Sequence, residues 1–251
     1  MGTTADAITI READTIWHEQ GGWFDARWHF SFDQYRDPDQ MGVGALRVFN
    51  DDRIVPGAEW PLHPHQDIES LTYVVEGHFL HADSLGNNGR LESGAAQVMT
   101  FSHAGDLHSE KNGSTDRWLR FIQFWILPSV RGLVTSVQQR QYTREDRTDR
   151  WLQIMGPAGT DGLDLAQDAR ALVSHLTDHG ALSHAFGPGR GGYLYVIDGR
   201  LSLNDDSLAT GDAATITGPI ELALSTDTAA ELILIDVPLE FEPVGVWAGE
   251  W

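Results

Sequence analysis

The 251-residue chain contains no cysteine. Disulfide bridges, thiol nucleophiles and thiolate metal ligands are therefore excluded together, and any metal site has to use nitrogen and oxygen donors. No apolar run reaches the roughly 18 residues that a membrane-spanning helix needs. The N-terminal stretch MGTTADAITIREADTIW lacks the basic start and apolar centre of a secretory signal. We expect a cytoplasmic protein that does not bind a membrane.

Basic residues are scarce as well. The chain has 17 Lys and Arg against 37 Asp and Glu, which gives a formal net charge of −20 at pH 7. Such a field repels phosphate backbones, so direct nucleic-acid binding is not expected. The composition is otherwise that of a globular protein, and the length suffices for one large or two ordinary domains.

Helical periodicity is also rare. Segments rich in β-branched and aromatic residues alternate with Gly, Asn and Asp, as is typical of strands and turns; examples are SLTYVVEGHFLHAD, AAQVMTF, WLRFIQFWIL and YLYVIDGRLSLN. The best helix candidate is DGLDLAQDARAL, in which Gly162 falls near the start. Short strands joined by tight turns predict an all-β fold of antiparallel sandwiches or barrels.

The two halves of the chain are similar to each other. LTYVVEGHFLHAD in the first half matches YLYVIDGRLSLND in the second, and LESGAAQVMT matches LATGDAATIT. A polar and turn-rich stretch at about 138–160 separates the halves. We interpret this pattern as an internal duplication, with an N-terminal domain at 1–137 and a C-terminal domain at 138–251.

Two pairs of possible metal ligands lie in the first half. His63 and His65 are two residues apart, and so are His108 and Glu110. In a strand, such residues point to the same face, so a barrel could bring three imidazoles and one carboxylate together. That donor set suits a transition metal with one or two open positions. A lone H-x-H pair is also common as an ordinary surface or core feature, and spacing alone leaves both interpretations open.

The other histidines show no comparable pairing, and we expect them to be structural or exposed. His103 is the most plausible additional ligand because it lies close to His108 in sequence.

The longest motifs are similar to a known family. HPHQDIESLTYVVEGHFLHADSLGNNG, SGAAQVMTFSHAGDLHSE and RFIQFWILP resemble the pirin family of the cupin superfamily, densely over about residues 15–145. The resemblance implies a bicupin, that is, two β-sandwich or barrel domains of the double-stranded β-helix type packed face to face. It also implies one metal ion, usually iron, in the N-terminal cupin. The residues at the matching ligand positions are His63, His65, His108 and Glu110.

One segment departs from the family pattern. Pirins usually have a compact glycine-rich segment before the third histidine, whereas TFSHAGDLHSE is one residue longer and keeps only Gly105. Phe101 and His103 are therefore expected to reshape one wall of the pocket. Glu69 follows the H-x-H pair and is not usually a ligand in pirins. We expect it either to orient a ligating imidazole or to be structural.

The resemblance implies two classes of function. Bacterial pirin relatives are associated with quercetin 2,3-dioxygenase activity, in which O₂ opens a flavonol ring. A small aromatic substrate and O₂ would then enter the pocket, and Glu110 would be the candidate base. Other pirins are described as regulators that bind a protein partner according to the redox state of the metal. A purely structural ion is the third alternative. Fe(II) is the expected ion, with Ni, Cu, Mn or Zn as alternatives.

The second half lacks both ligand pairs and keeps only His184 near the corresponding place. We expect this C-terminal cupin to be free of metal and to act as a scaffold or lid. The C-terminal tail carries Trp247 and Trp251. We expect the tail to pack onto the body or onto a neighbouring chain, although its last three residues are equally compatible with a frayed end.

Overall fold

The computed structural model describes residues 7–248. The first half forms β1 (Ile8–Arg11), β2 (Trp17–Gln20), β3 (Phe24–Trp28), β4 (Leu46–Ile54), β5 (Glu59–His65), β6 (Glu69–Glu76), β7 (His78–Asp83), β8 (Asn88–Glu92), β9 (Ala95–Thr100), β10 (Asp106–Asn112), β11 (Leu119–Ile126) and β12 (Ser136–Gln141). The second half forms β13 (Leu152–Pro157), β14 (Leu163–Leu165), β15 (Arg170–Leu176), β16 (Ala181–Phe186), β17 (Arg190–Leu203), β18 (Asp206–Ala209), β19 (Ala213–Thr217), β20 (Ile220–Ser225) and β21 (Ala230–Pro238). Three short 3₁₀ helices cover Ala13–Thr15, Glu145–Arg147 and Gly245–Trp247.

Within residues 7–248 there is no α-helix, and the helix predicted for DGLDLAQDARAL is wrong. This segment forms β14 and the start of β15. Gly162 has a positive φ of 92° and turns the chain just before β14. Leu163 and Leu165 then alternate into the core while Asp164 stays exposed, which is strand periodicity.

The first barrel consists of two facing antiparallel sheets. The larger sheet has the strand order β12-β9-β6-β11-β4-β3-β2, and the smaller has the order β5-β10-β7-β8. Alternate residues of β4 point to opposite faces of the larger sheet, as the period of two requires. Asn50 and Asp52 therefore point into the barrel, whereas Phe49 and Asp51 point towards the second half of the chain.

The second barrel repeats this plan. Its central strands follow the order β19-β17-β21-β15, which corresponds to β9-β6-β11-β4 of the first barrel. In addition, β16 pairs with β20, as β5 pairs with β10. All pairs in both barrels are antiparallel except β13 with β14. The predicted all-β fold with two antiparallel domains is therefore confirmed.

The first and the last strand of the first half of the chain belong to different barrels. β1, from the start of the chain, pairs with β19 in the second barrel, and β12 extends the large sheet of the first. The predicted boundary between 137 and 138 falls inside β12 and stays a prediction.

A shared core joins the two barrels. Phe49 and Tyr73 from the first half pack in one cluster with Tyr193 and Tyr195 from the second. Asp51 pairs with two polar groups of this interface. The Tyr195 hydroxyl donates to Asp51 Oδ2 at 2.6 Å, and Arg120 Nε donates to Asp51 Oδ1 at 2.9 Å. The barrels are thus packed face to face through their large sheets.

The C-terminal segment returns to the first barrel. Trp247 packs against a cluster that contains Ile68, Met99, Phe101 and Leu127, so the tail packs back onto the body up to this residue. Trp251 lies outside the described residues. Over the described part of the chain, no helix is long and apolar enough to cross a membrane.

Candidate metal centre

Strands β5 and β10 bring the two predicted ligand pairs side by side. In their antiparallel register His108 lies opposite His63, and the ladder is irregular between His108 and Glu110. The H-x-H pair and the H-x-E pair therefore project from adjacent strands into the same space.

The three imidazoles form a compact group. One ligand atom of each of His63, His65 and His108 lies within 4.8 Å of the others. The ring centroids of His63 and His108 are 4.5 Å apart. Glu110 adds its carboxylate, with Oε1 3.7 Å from His108 Nε2 and Oε2 4.0 Å from His63 Nε2. All four predicted residues are thus brought together.

Burial favours the neutral form, which can donate a lone pair, at two of the imidazoles, His65 and His108. Burial, reinforced by the neighbouring His108 and His63, lowers the pKa of His65 to about 3. Burial also holds the pKa of His108 well below its ordinary value. His63 Nδ1 lies 2.9 Å from the carbonyl oxygen of Pro61, which leaves Nε2 free to face the group.

This donor set fits a divalent transition metal. The Nε2 atoms of His65 and His108 are buried and have no hydrogen-bond partner. Buried polar atoms are normally paired, so two unpaired nitrogens within one compact group fit residues that hold a metal ion. Glu110 is held in place by Gln123, whose side-chain amide donates to Oε1. Three imidazoles and one carboxylate match the preference of first-row metals for nitrogen and oxygen donors.

An aromatic pocket of about 290 Å³ opens beside this group. The volume lies near the lower end of the range for small-molecule sites, about 300–1,000 Å³. Its aromatic walls include Phe24, Trp28, Trp60, Phe121 and Trp125. A second cavity, of about 560 Å³, shares Phe32, Asp33 and Trp125 with the pocket. The site is thus open to a planar organic molecule.

Comparison with known proteins now identifies the family. The pirin family model matches residues 10–126, and the model of the quercetinase C-terminal cupin domain matches residues 138–237. A pirin-like protein of Caulobacter vibrioides is 36% identical over 231 residues, which cover 91% of this chain and 99% of that protein. The chain belongs to the pirin family. The quercetin 2,3-dioxygenase of Escherichia coli K12 is 34% identical over 233 residues, covering 92% of this chain and 99% of that enzyme.

Solved pirin structures show the same bicupin fold. YhhW from Escherichia coli superimposes with a TM-score of 0.87 at 33% identity, covering 94% of this chain and 98% of that one. The same bacterial pirin has also been solved in complex with nickel(II), with a TM-score of 0.86 over 94% of this chain and all of that one. The resemblance to bicupin pirins is therefore confirmed.

The two residues of the altered segment have different surroundings. Phe101 is fully buried, and its ring centroid lies 4.9 Å from that of His65 and 5.0 Å from that of His108. His103 instead exposes 69% of its side chain, and its Nδ1 lies 2.7 Å from Asp67 Oδ2. Phe101 therefore forms a wall behind the imidazoles, whereas His103 is not in the imidazole group.

Glu69 belongs to the domain interface rather than to the imidazole group. Its buried carboxylate accepts the backbone N–H of Ala166, with both oxygens at 3.0 Å. Burial raises the pKa of Glu69 to about 7, against the opposing effect of the Ala166 and Gln167 N–H groups. Of the two roles expected for Glu69, these contacts fit the structural one.

The sequence reasoning missed a neighbour of the group. His81 and Asp83 lie on β7, opposite Glu110 and His108 of β10. Both side chains are fully buried, with His81 Nε2 3.6 Å from Asp83 Oδ2, and the His81 ring lies 5.8 Å from that of His108. Their H-x-D spacing was the signal, and it repeats the spacing of the two ligand pairs on the strand that pairs with β10.

Proposed function

We propose that this pirin is a metal-dependent dioxygenase that opens the ring of quercetin-type flavonols with O₂. One observation carries the proposal: three imidazoles and a carboxylate converge in the wall of an aromatic pocket. The dioxygenase activity of relatives that align over nearly their whole length supports the choice of reaction. A cytoplasmic location is part of the same proposal.

His63, His65, His108 and Glu110 would hold one divalent ion, and Fe(II) is our first choice. Nickel in the structure of a related pirin supports the view that sites of this kind also accept other ions, so Ni, Cu, Mn and Zn stay alternatives. When bound, such an ion would polarise the flavonol oxygens and promote reaction with O₂.

The chain itself would bind, orient and deprotonate the substrate. The rings of Trp60 and Phe121, 6.2 Å apart and nearly perpendicular, offer apolar surface to a planar ring. Gln123 occupies Oε1 of Glu110, which leaves Oε2 to take the proton of the 3-hydroxyl group. Glu110→Gln should therefore lower turnover more than metal content, and full turnover in that variant would remove Glu110 as the base.

The test is anaerobic reconstitution of metal-free protein with Fe(II), Ni(II), Cu(II), Mn(II) or Zn(II), followed by quercetin decay under O₂. We expect one ion per chain and decay that depends on it. His63→Ala should abolish both, while His18→Ala, which changes an exposed histidine bonded to Asp25, should change neither.

Other outcomes would redirect the proposal. Stoichiometric metal without decay for any ion would favour the alternative of a redox-sensitive regulator with a protein partner, and the segment around Phe101 would be the first suspect. A protein that binds none of the five ions would overturn the site.

A further inference from the structure

Two polar side chains of the pocket wall have unpaired oxygen atoms. Asn50 and Asp52 both line the pocket and are two residues apart on β4. They are only 2% and 4% exposed, and Oδ1 of each has no hydrogen-bond partner. Burying a polar atom without a partner lowers stability, so such atoms call for an explanation.

The adjacent aspartate shows what a structural carboxylate looks like in this strand. Asp51 points to the opposite face of the sheet and is bound by both Arg120 and the Tyr195 hydroxyl. Asp52 faces the barrel, where its cross-strand neighbours are Ala26 and Phe121, neither of which can pair with it. The pocket is therefore the side from which a partner for Asp52 can come.

The position of the pair relates it to the candidate metal centre. Asn50 lies opposite Gln123, which holds Glu110. Asp52 lies one step further along β4, beside the aromatic wall. Burial, together with Asp51 and Glu110, raises the pKa of Asp52 well above its ordinary value. In either protonation state the carboxyl group keeps an oxygen that can accept a hydrogen bond from a hydroxyl group.

We propose that Asn50 and Asp52 form a subsite for phenolic hydroxyl groups, so that the pocket selects polyhydroxylated aromatic substrates over rings without hydroxyls. Because a hydroxyl both donates and accepts, it can pair with the amide and the carboxyl group at once. A ring stacked on the aromatic wall would present such hydroxyls to the pair. The inference rests on the proposed function, since it assumes that an aromatic substrate enters this pocket.

The test compares the binding of quercetin and 3-hydroxyflavone to metal-free protein by quenching of tryptophan fluorescence. Both ligands carry the 3-hydroxyl group, but 3-hydroxyflavone lacks the other ring hydroxyls. Wild-type protein should prefer quercetin, and Asn50→Leu or Asp52→Leu should reduce that preference about tenfold, the effect of losing about one hydrogen bond. Ser70→Ala is the matched control, because Ser70 Oγ is equally buried and unpaired but Ser70 is not a lining residue.

Thermal melting checks that the variants fold. Each substitution replaces an unpaired polar group by an apolar one of similar size, so the melting temperature should be unchanged or higher. The subsite would be overturned if wild-type protein showed no preference for quercetin. It would also be overturned if both variants kept the wild-type preference. Turnover by reconstituted protein separates the two proposals: hydroxyl-dependent binding without turnover removes only the dioxygenase, and turnover with unchanged selectivity removes only the subsite.

Discussion

The two barrels have the same strand plan but different interiors. One row of inward-facing residues crosses the four central strands of each large sheet. In strand order these residues are Gln97, Thr72, Gln123 and Asn50 in the first barrel and Ala214, Leu194, Leu234 and Leu172 in the second. The first row is polar throughout and the second is apolar throughout, although the strands that carry them follow the same order and pairing.

This difference distinguishes the residues that the fold requires for stability from the residues that a binding site requires. The second barrel is filled by one apolar cluster, which is what stability alone requires. The first barrel instead contains buried polar atoms without partners, at His65, His81, His108, Asn50 and Asp52. Because such atoms reduce stability, their concentration in one barrel indicates a binding site there.

The strands that carry the site differ in the same way. Where the first barrel pairs His63 with His108, the second pairs His184 with Leu222. His184 is also already engaged, since its Nε2 lies 3.0 Å from Asp236 Oδ2. The absence of metal from the second barrel stays a prediction, and these contacts give its physical basis.

The largest effect is expected from making the first barrel resemble the second. His108→Leu removes an imidazole from the centre of the group. It should weaken metal binding by more than about 100-fold, because altering even the residues behind a ligand costs 10–100-fold. Equilibrium dialysis measures the affinity. The metal-free variant should be at least as stable as wild type, because a buried imidazole without partners is replaced by an apolar side chain.

His78→Leu is the control for this change. His78 lies on β7 in the same small sheet, and its imidazole is bonded to Glu92 at the surface rather than to the group. The His78→Leu variant should bind metal with the same affinity as wild type. Metal binding retained at wild-type affinity in His108→Leu would show that the imidazole group is not the site.

The reverse change should be the next in size. Leu222→His places an imidazole opposite His184, within the apolar core of the second barrel. It should lower the free energy of unfolding by about 3 kcal/mol, through lost apolar burial and an unpaired polar group. Urea unfolding measures this, with the volume-conserving Leu222→Met as the control for shape. A second bound ion in Leu222→His would contradict the view that one extra imidazole is not sufficient for a site.

The features of the two barrels that depend on residues close together in sequence could be predicted. Strand alternation gave the all-β fold, and the ligand pairs were visible because two residues on one strand share a face. The contribution of β10 could be foreseen only because its pair repeats the pattern of β5. The duplication also followed from local motifs, which fall on β6 and β17 and on β9 and β19.

The remaining features are contacts between residues far apart in sequence, and these depend on the register between strands. Gln123 meets Glu110, and Asn50 meets Gln123, only once the sheets have formed. Asn50 and Asp52 sit in NDD, a motif that reads as a turn, yet they continue a buried strand. Glu69 could not be assigned from sequence, because its partner Ala166 is 97 residues away. The type of a polar residue in a strand does not determine which face of the sheet its side chain occupies.

The smallest effect on stability is expected at the face of the first large sheet that packs against the second half of the chain. The two large sheets differ at a further position there. Glu69 lies opposite Thr100, whereas the second sheet has Gly191 opposite Thr217. Burial raises the pKa of Glu69 to about 7, above its value in the unfolded chain. The stability associated with protonated Glu69 is therefore fully present below pH 4.5 and is lost as the pH rises through 7.

Glu69→Gln removes this titration while keeping an oxygen that can accept the Ala166 N–H. Between pH 5 and 8 the free energy of unfolding of wild type should fall by about 2 kcal/mol more than that of the variant. Urea unfolding at several pH values measures the difference. Parallel pH profiles would mean that the N–H groups of Ala166 and Gln167 keep Glu69 ionised throughout. In that case the interface would hold a carboxylate, and the two large sheets would differ in charge as well as in shape.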